Sequence, residues 1–154
     1  MIRILTIAAL TLLPSHLWAG AMEIESQKMV FLHKSEQAEF INNVHLTRDD
    51  FELRCDRLIA YYKNNKLDRA EAFGDIQLVQ KNVTGRSERA ILDQKNNTLT
   101  LIGNAVLEQA GSRVEGEKIV HDMGKERTVV QPSKGGRTHM TIETDDADPA
   151  RAGQ

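Results

Sequence analysis

The sequence is short of most residues that staple or punctuate a chain. It has one Cys, three Pro and only 5% aromatics among its 154 residues. A single cysteine cannot close an internal disulfide, which excludes a disulfide-stapled scaffold. Three prolines and ten glycines exclude a collagenous chain. No apolar run reaches the roughly 20 residues that span a bilayer, so a multi-span membrane protein is excluded as well. Nor does one sign of charge dominate. The 20 Lys and Arg against 22 Asp and Glu leave a net charge of −2, with both signs interspersed, and give no broad field for holding nucleic acid. What remains, 40% apolar and 27% charged residues, suits one globular domain.

The first 21 residues have the layout of an export signal. Arg3 is followed by an apolar run from Ile4 to Leu13, then the helix breaker Pro14, then small residues at Ala19, Gly20 and Ala21. Cleavage is expected after Ala21, with Ala19 as the alternative, and the short run argues against a retained membrane anchor. No Cys lies near the cleavage site, which argues against a lipoprotein. Removing 21 of 154 residues leaves 133, with a net charge of −3 because Arg3 is the only charge removed. That length supports one core and not two ordinary domains.

After Glu23 the apolar period is two, the signature of strands. Leu99, Leu101, Gly103, Ala105 and Leu107 share one face; Ala72, Gly74, Ile76 and Leu78 repeat the design, as do Phe40, Asn42, Val44 and Leu46. Overlaying these stretches gives an internal repeat with Asn42, Gly74 and Gly103 offset by 32 and then 29 residues. A second set interleaves, with small residues Ser26, Cys55, Ser87 and Gly116 each preceding a polar pair. At those pairs the inward parity slips by one, from Leu53 and Cys55 to Leu58, Ala60 and Tyr62. That slip predicts a β-bulge and a sharp bend at Asp56–Arg57 and its equivalents.

The midpoints between successive small sites fall on turn signals, among them Asp49–Asp50, Asn64–Asn65, Lys81–Asn82 and Gly111. Antiparallel hairpins would therefore align the small residues as a crease, with their side of the strand facing inward and leaving room for the opposite wall. The reading is all-β: one antiparallel sheet of eight long strands, near 24–33, 37–48, 51–63, 67–80, 83–94, 98–109, 112–122 and 126–131. The crease would split it into about sixteen short strands in two facing sheets. Thr138 to Thr144 suits one more edge strand, and Asp145 to Gln154 a disordered tail.

No constellation for catalysis is present. No Gly-rich phosphate loop, CxxC or HExxH occurs. The histidines are scattered, with His45 expected outward and His33 and His121 inward. Asp49–Asp50 and Asp145–Asp146 fall in a turn and the tail, which argues against a hydrolase with two converging carboxylates. Arg54, Arg57, Arg86 and Arg89 alternate with acids as a mixed solvated face, and Cys55 is expected to be an inert small core residue. No enzyme activity, cofactor or metal is expected.

Several motifs in register carry a resemblance. Phe73-Gly74-Asp75-Ile76, Ile102-Gly103-Asn104-Ala105-Val106, Arg54-Cys55-Asp56-Arg57-Leu58-Ile59-Ala60-Tyr61-Tyr62 and Val114-Glu115-Gly116-Glu117-Lys118-Ile119-Val120-His121-Asp122 resemble the OstA-like family over residues 24–131. Asn42 departs from the glycine of the other repeats, and Cys55 is an uncommon choice at its small site. The resemblance implies an open, twisted β-jelly roll over residues 22–131 and a periplasmic protein that carries lipopolysaccharide from an inner-membrane ABC transporter toward the outer membrane. It also implies head-to-tail self-association and inner-membrane LptC and outer-membrane LptD homologues as partners. The acyl chains would lie in a groove for which Phe31, Phe40, Val44, Leu46, Leu53, Leu58, Tyr62, Ile76, Leu78, Leu99, Leu101, Leu107, Val114 and Ile119 are the candidates. The edges near Met22 to Phe31 and Glu126 to Thr144 are candidate docking strands. An exported structural or protein-binding β-solenoid without lipid cargo is the alternative.

Overall fold

The computed structural model describes residues 21–144. The expected export signal, apart from Ala21, and the tail from Asp145 lie outside the described residues. The strands are β1 Glu23–Glu25, β2 Lys28–Leu32, β3 Gln37–Arg48, β4 Phe51–Lys63, β5 Lys66–Gln80, β6 Val83–Asp93, β7 Thr98–Gln109, β8 Ser112–Asp122, β9 Arg127–Gln131 and β10 His139–Ile142. All pairings are antiparallel, and β3 to β8 form an unbroken meander. Two-residue turns close four of the five hairpins between β3 and β8, and a four-residue turn, 94–97, joins β6 to β7. Asn64–Asn65 and Ala110–Gly111 have positive φ at both positions, the twist-matched I′ geometry.

Every long strand bends near its middle, and the ladder locates the bend. Pairing steps from Ile41↔Arg57 to Val44↔Cys55, from Phe73↔Arg89 to Ile76↔Ser87, and from Ile102↔Lys118 to Ala105↔Gly116. In each case the first-named strand spends one residue more than its neighbour. The extra residue thus belongs to β3, β5 and β7, whereas the parity slip had placed it at Asp56–Arg57 and its equivalents. Its backbone explains the choice. Asn42–Asn43, Gly74–Asp75 and Gly103–Asn104 are all left-handed pairs, a conformation open to Gly and, among other residues, best tolerated by Asn and Asp. Asn42, at φ 63, therefore replaces the glycine of the other repeats without loss of the bend.

The bends divide the sheet into two walls. Wall A holds β1, β10 and the halves of β3 to β8 represented by Val44–Arg48, Phe51–Cys55, Ile76–Gln80, Val83–Ser87, Ala105–Gln109 and Ser112–Gly116. Wall B holds β2, β9 and the other halves. The walls face each other. A Cβ on Gly85 of wall A would lie 3.2 Å from Leu101 Cδ1 of wall B, and one on Gly116 would lie 2.7 Å from Val130 Cγ1. Gly116 thus leaves room for the opposite wall, as expected. Gly103 does not: its Cβ would meet the Glu88 carboxylate at 2.7 Å, on the neighbouring strand along the outer spine.

The count is ten strands rather than sixteen because six of them pass through the crease without interruption. Only the first long strand is split, into β1 and β2 at Ser26–Gln27. The expected last strand is β9, and the further edge strand expected in Thr138 to Thr144 is β10, with a loop through Pro132 to Thr138 between them.

Candidate functional site

The interior is built from rows of directly opposed residues. In wall B, Met29, Phe40, Leu58, Ala72, Ala90, Leu101, Ile119 and Val130 are successive register partners from edge to edge. In wall A the corresponding row runs from Ile24 through Leu46, Leu53, Leu78, Gly85, Leu107 and Val114 to Met140. Of the groove candidates, Val44, Leu46, Leu58, Ile76, Leu101 and Ile119 are at most 1% exposed, and Phe40, Leu53, Leu78 and Leu99 are buried with them. Tyr62, Leu107 and Val114 are half-buried. Phe31 is 47% exposed because β2 is an edge strand.

The alternation also pointed to residues outside that set. Ala38, Ala60, Ala70, Ala72 and Ala90 floor wall B, all at most 4% exposed. Their parity matches the larger neighbours; only their size hid them.

Between the walls the core is closed. The apolar cavity against Leu46, Leu53, Leu58, Ala72 and Leu99 measures about 10 Å³, at the lower limit of what one water needs. The side opposite the crease is wetter. There the turn Gln80–Val83 and Gln109 of wall A face His121, Met123 and Thr128 of wall B across a hollow of about 450 Å³. A second hollow of about 210 Å³ lies between Met22, Arg48 to Phe51, and Leu92 and Met123. The mouth therefore has polar lips over an apolar interior.

The two outer faces differ. Wall A carries ion pairs at the surface: His45 and Arg54 both reach the Glu52 carboxylate at 2.7 Å, and Arg113 binds Glu115 at 2.6 Å. Arg54 and then His45 hold the Glu52 carboxyl below its ordinary value. Wall B instead buries Glu71, 6% exposed, between Arg69 at 2.5 Å and Arg89 at 2.6 Å. The guanidinium groups of Arg57 and Arg89 lie 5.7 and 5.3 Å from the Phe73 ring centroid. Arg57 and Arg89 are therefore packing elements rather than members of a freely solvated face. His45 is on the outer face and His121 on the inner one, bonded to Thr128 Oγ1 at 2.9 Å. His33 sits exposed in the 3-10 turn His33–Ser35, edge-on to Phe31.

Cys55 is buried on the innermost row of wall A, and burial pushes its thiol up to about 12. That disfavours the thiolate needed for catalysis or metal binding. Among the described residues no cluster of His, Cys, Asp or Glu could hold a metal, and no helix is long and apolar enough to cross a membrane.

Four edge strands terminate the walls, β1 and β2 at one end and β9 and β10 at the other. They carry the most exposed large apolar side chains. Met29 is 61% and Met140 56% exposed, both on the inward-facing rows.

A family model described as "LptA/(LptD N-terminal domain) LPS transport protein" matches residues 23–127. The chain belongs to this family. LptA-type domains are thus the context for the creased sheet, and the family is one of lipopolysaccharide transport proteins. Among solved structures, the fold is similar to that of LptH from Pseudomonas aeruginosa, described as the LptA homologous periplasmic component of the conserved lipopolysaccharide transport device. The TM-score is 0.74 at 19% identity, over 80% of this chain and 96% of that one. No curated protein matches the chain. The likeness to LptH supports the β-jelly-roll fold expected of an LptA-type domain.

Proposed function

We propose that this chain is a periplasmic carrier that binds lipopolysaccharide by its acyl chains and passes it along the space between the walls toward the outer membrane. The observation that carries this reading is the edge-to-edge continuity of the apolar inner rows in a member of a lipopolysaccharide-transport family. Burying one methylene is worth about 0.8 kcal/mol, so a fatty chain of a dozen carbons represents roughly 10 kcal/mol. A lipid with that penalty does not cross water freely. Exchanging one apolar wall for an equivalent one nearly cancels the cost, and no catalytic group is needed.

The closed core supports entry at the mouth. Acyl chains would part the two walls on the side opposite the crease, leaving the sugars in water beyond the polar lips. The four edge strands would extend the path by strand addition, to further copies of the chain and to inner-membrane LptC and outer-membrane LptD homologues. Open edges otherwise invite aggregation, and head-to-tail pairing of unlike ends makes a filament.

The test is site-specific photo-crosslinking in cells making lipopolysaccharide. Probes at Leu46, Ile76, Leu101 and Leu107 should capture the lipid, and probes at Gln77 and Thr100, on the outer faces, should not. Capture only from the outer positions overturns the reading. The closed interior also suits a second reading, an exported structural β-solenoid whose apolar faces are merely core. Inner probes that capture no lipid while the edge strands still bind protein would favour that one.

A further inference from the structure

The directions of the edge strands dictate how two ends would meet. β1 runs from the mouth toward the crease, since Glu23 pairs with Thr47 and Glu25 with His45. β10 runs the other way, from His139 opposite Glu115 to Ile142 opposite Ser112. Copies stacked in one orientation therefore bring β10 beside the next β1 as an antiparallel pair. In wall B, β9 and β2 are likewise opposed, because each is antiparallel to a strand running the other way across that wall. Both walls continue as regular ladders.

The crease sets the register. One cross-strand row on the outer face of wall A, just beyond the crease, starts at Glu25 and His45 and ends at Glu115 and His139. If the crease is to run straight through a joint, His139 falls opposite Glu25 of the next copy. The row then reads Glu115, His139, Glu25, His45 across the joint, acid and imidazole in alternation. On the inner faces the same register puts Met140 beside Ile24 and Val130 beside Met29, apolar against apolar.

The acid and the imidazole that meet are the two not already engaged. Among the described residues neither Glu25 nor His139 has an ion-pair partner. Glu115 is held by Arg113 Nε at 2.8 Å and Nη2 at 2.6 Å, and His45 by Glu52 at 2.7 Å. Within its own copy His139 meets Thr141 Oγ1 at 3.3 Å and shares a hollow with Glu115, Glu117 and Arg137. Glu25 faces His45, with Glu52 and Arg54 beyond it.

We propose that end-to-end stacking of this chain is held in register by His139 of one copy against Glu25 of the next, so that the joint tightens as the medium is acidified. The proposal rests on the stacking reading above and adds its register and its regulation. Histidine is the side chain whose charge changes between about pH 5 and 8. Directly opposed unlike charges on neighbouring strands stabilise a ladder. The imidazolium is attracted to Glu25, and the neutral imidazole is not.

The experiment is sedimentation of the mature chain over a concentration series at pH 6, 7 and 8 and constant ionic strength. The dissociation constant for stacking should be lower at pH 6 than at pH 8, by on the order of threefold. Glu25→Gln and His139→Gln should each flatten that dependence, and the double variant should behave as either single one. His33→Gln, an exposed histidine away from the row, should leave it intact. Circular dichroism would report whether each variant is folded. Absence of association at every pH and concentration overturns the stacking reading. Association with the same constant at pH 6 and 8, or full pH dependence retained in His139→Gln, overturns this proposal and leaves stacking in place.

Discussion

The two walls share every long strand, yet their outer faces are built on different principles. Wall B has packing on both sides: its inner row meets the core, and its outer face has Phe73 between two guanidinium groups and Glu71 buried under Arg69 and Arg89. Wall A is packed on one side only, and its outer face is a set of solvent-screened pairs around Glu52 and Glu115. A sheet whose outer face contributes little depends on the interior for its cohesion. Should the walls part, wall B would keep the contacts of its outer face around Phe73 and Glu71, for which wall A has no counterpart among the described residues.

The largest test of that contrast is truncation of Phe73. Phe73→Ala removes a half-buried ring and strands two arginine stems, and should cost about 2 kcal/mol in urea denaturation. Gln77→Ala, on the outer face of wall A, should stay within about 0.5 kcal/mol. Equal losses would erase the distinction. A smaller effect is expected at the acids. Glu71→Gln leaves Arg69 and Arg89 facing a neutral group and should cost about 1–2 kcal/mol, discounted because both arginines remain partly solvated. Glu52→Gln should leave the urea midpoint unchanged within error, although Arg54 and His45 lower its carboxyl.

A pH-dependent effect lies on the crease line itself. The Cys55 thiol is pushed from 9.0 up to about 12 by burial, so above pH 9 the unfolded chain loses a proton that the folded chain keeps. The associated stability is present below pH 9 and is lost as pH rises toward 12. Urea midpoints at pH 8 and 10 should differ less in Cys55→Ala than in the parent chain. An unchanged pH dependence would place the thiol in contact with water.

Much of this was written in the period-two pattern. The strand ends, the turns and the inward residues from Phe40 to Ile119 follow from alternation alone, because a one-residue slip would turn every Leu and Ile outward. Alternation does not say which of two paired strands holds the extra residue. That depended on which strand tolerates two left-handed residues in a row, and Asn42–Asn43, Gly74–Asp75 and Gly103–Asn104 supply them. It also misjudged Gly103, whose missing side chain makes room for Glu88 of its own sheet rather than for the opposite wall. The outer face of wall B was hidden for another reason. Arg57 and Arg89 look like solvated charges in one strand, and their contacts with Phe73 and Glu71 exist only once three strands are in register.

The meander has a consequence for size. Each long strand pairs with its sequence neighbours, and each pair of strands, about thirty residues, repeats the same bend at the same level. Such an array is quasi-one-dimensional in its pairing, each strand of the meander bonding only to its neighbours in the sheet. Inserting or deleting one unit would leave the ends and the crease untouched and change the length of the protein by two strand spacings, about 10 Å. The span of this architecture is therefore adjustable in whole hairpins, without redesign of the edge strands at its ends.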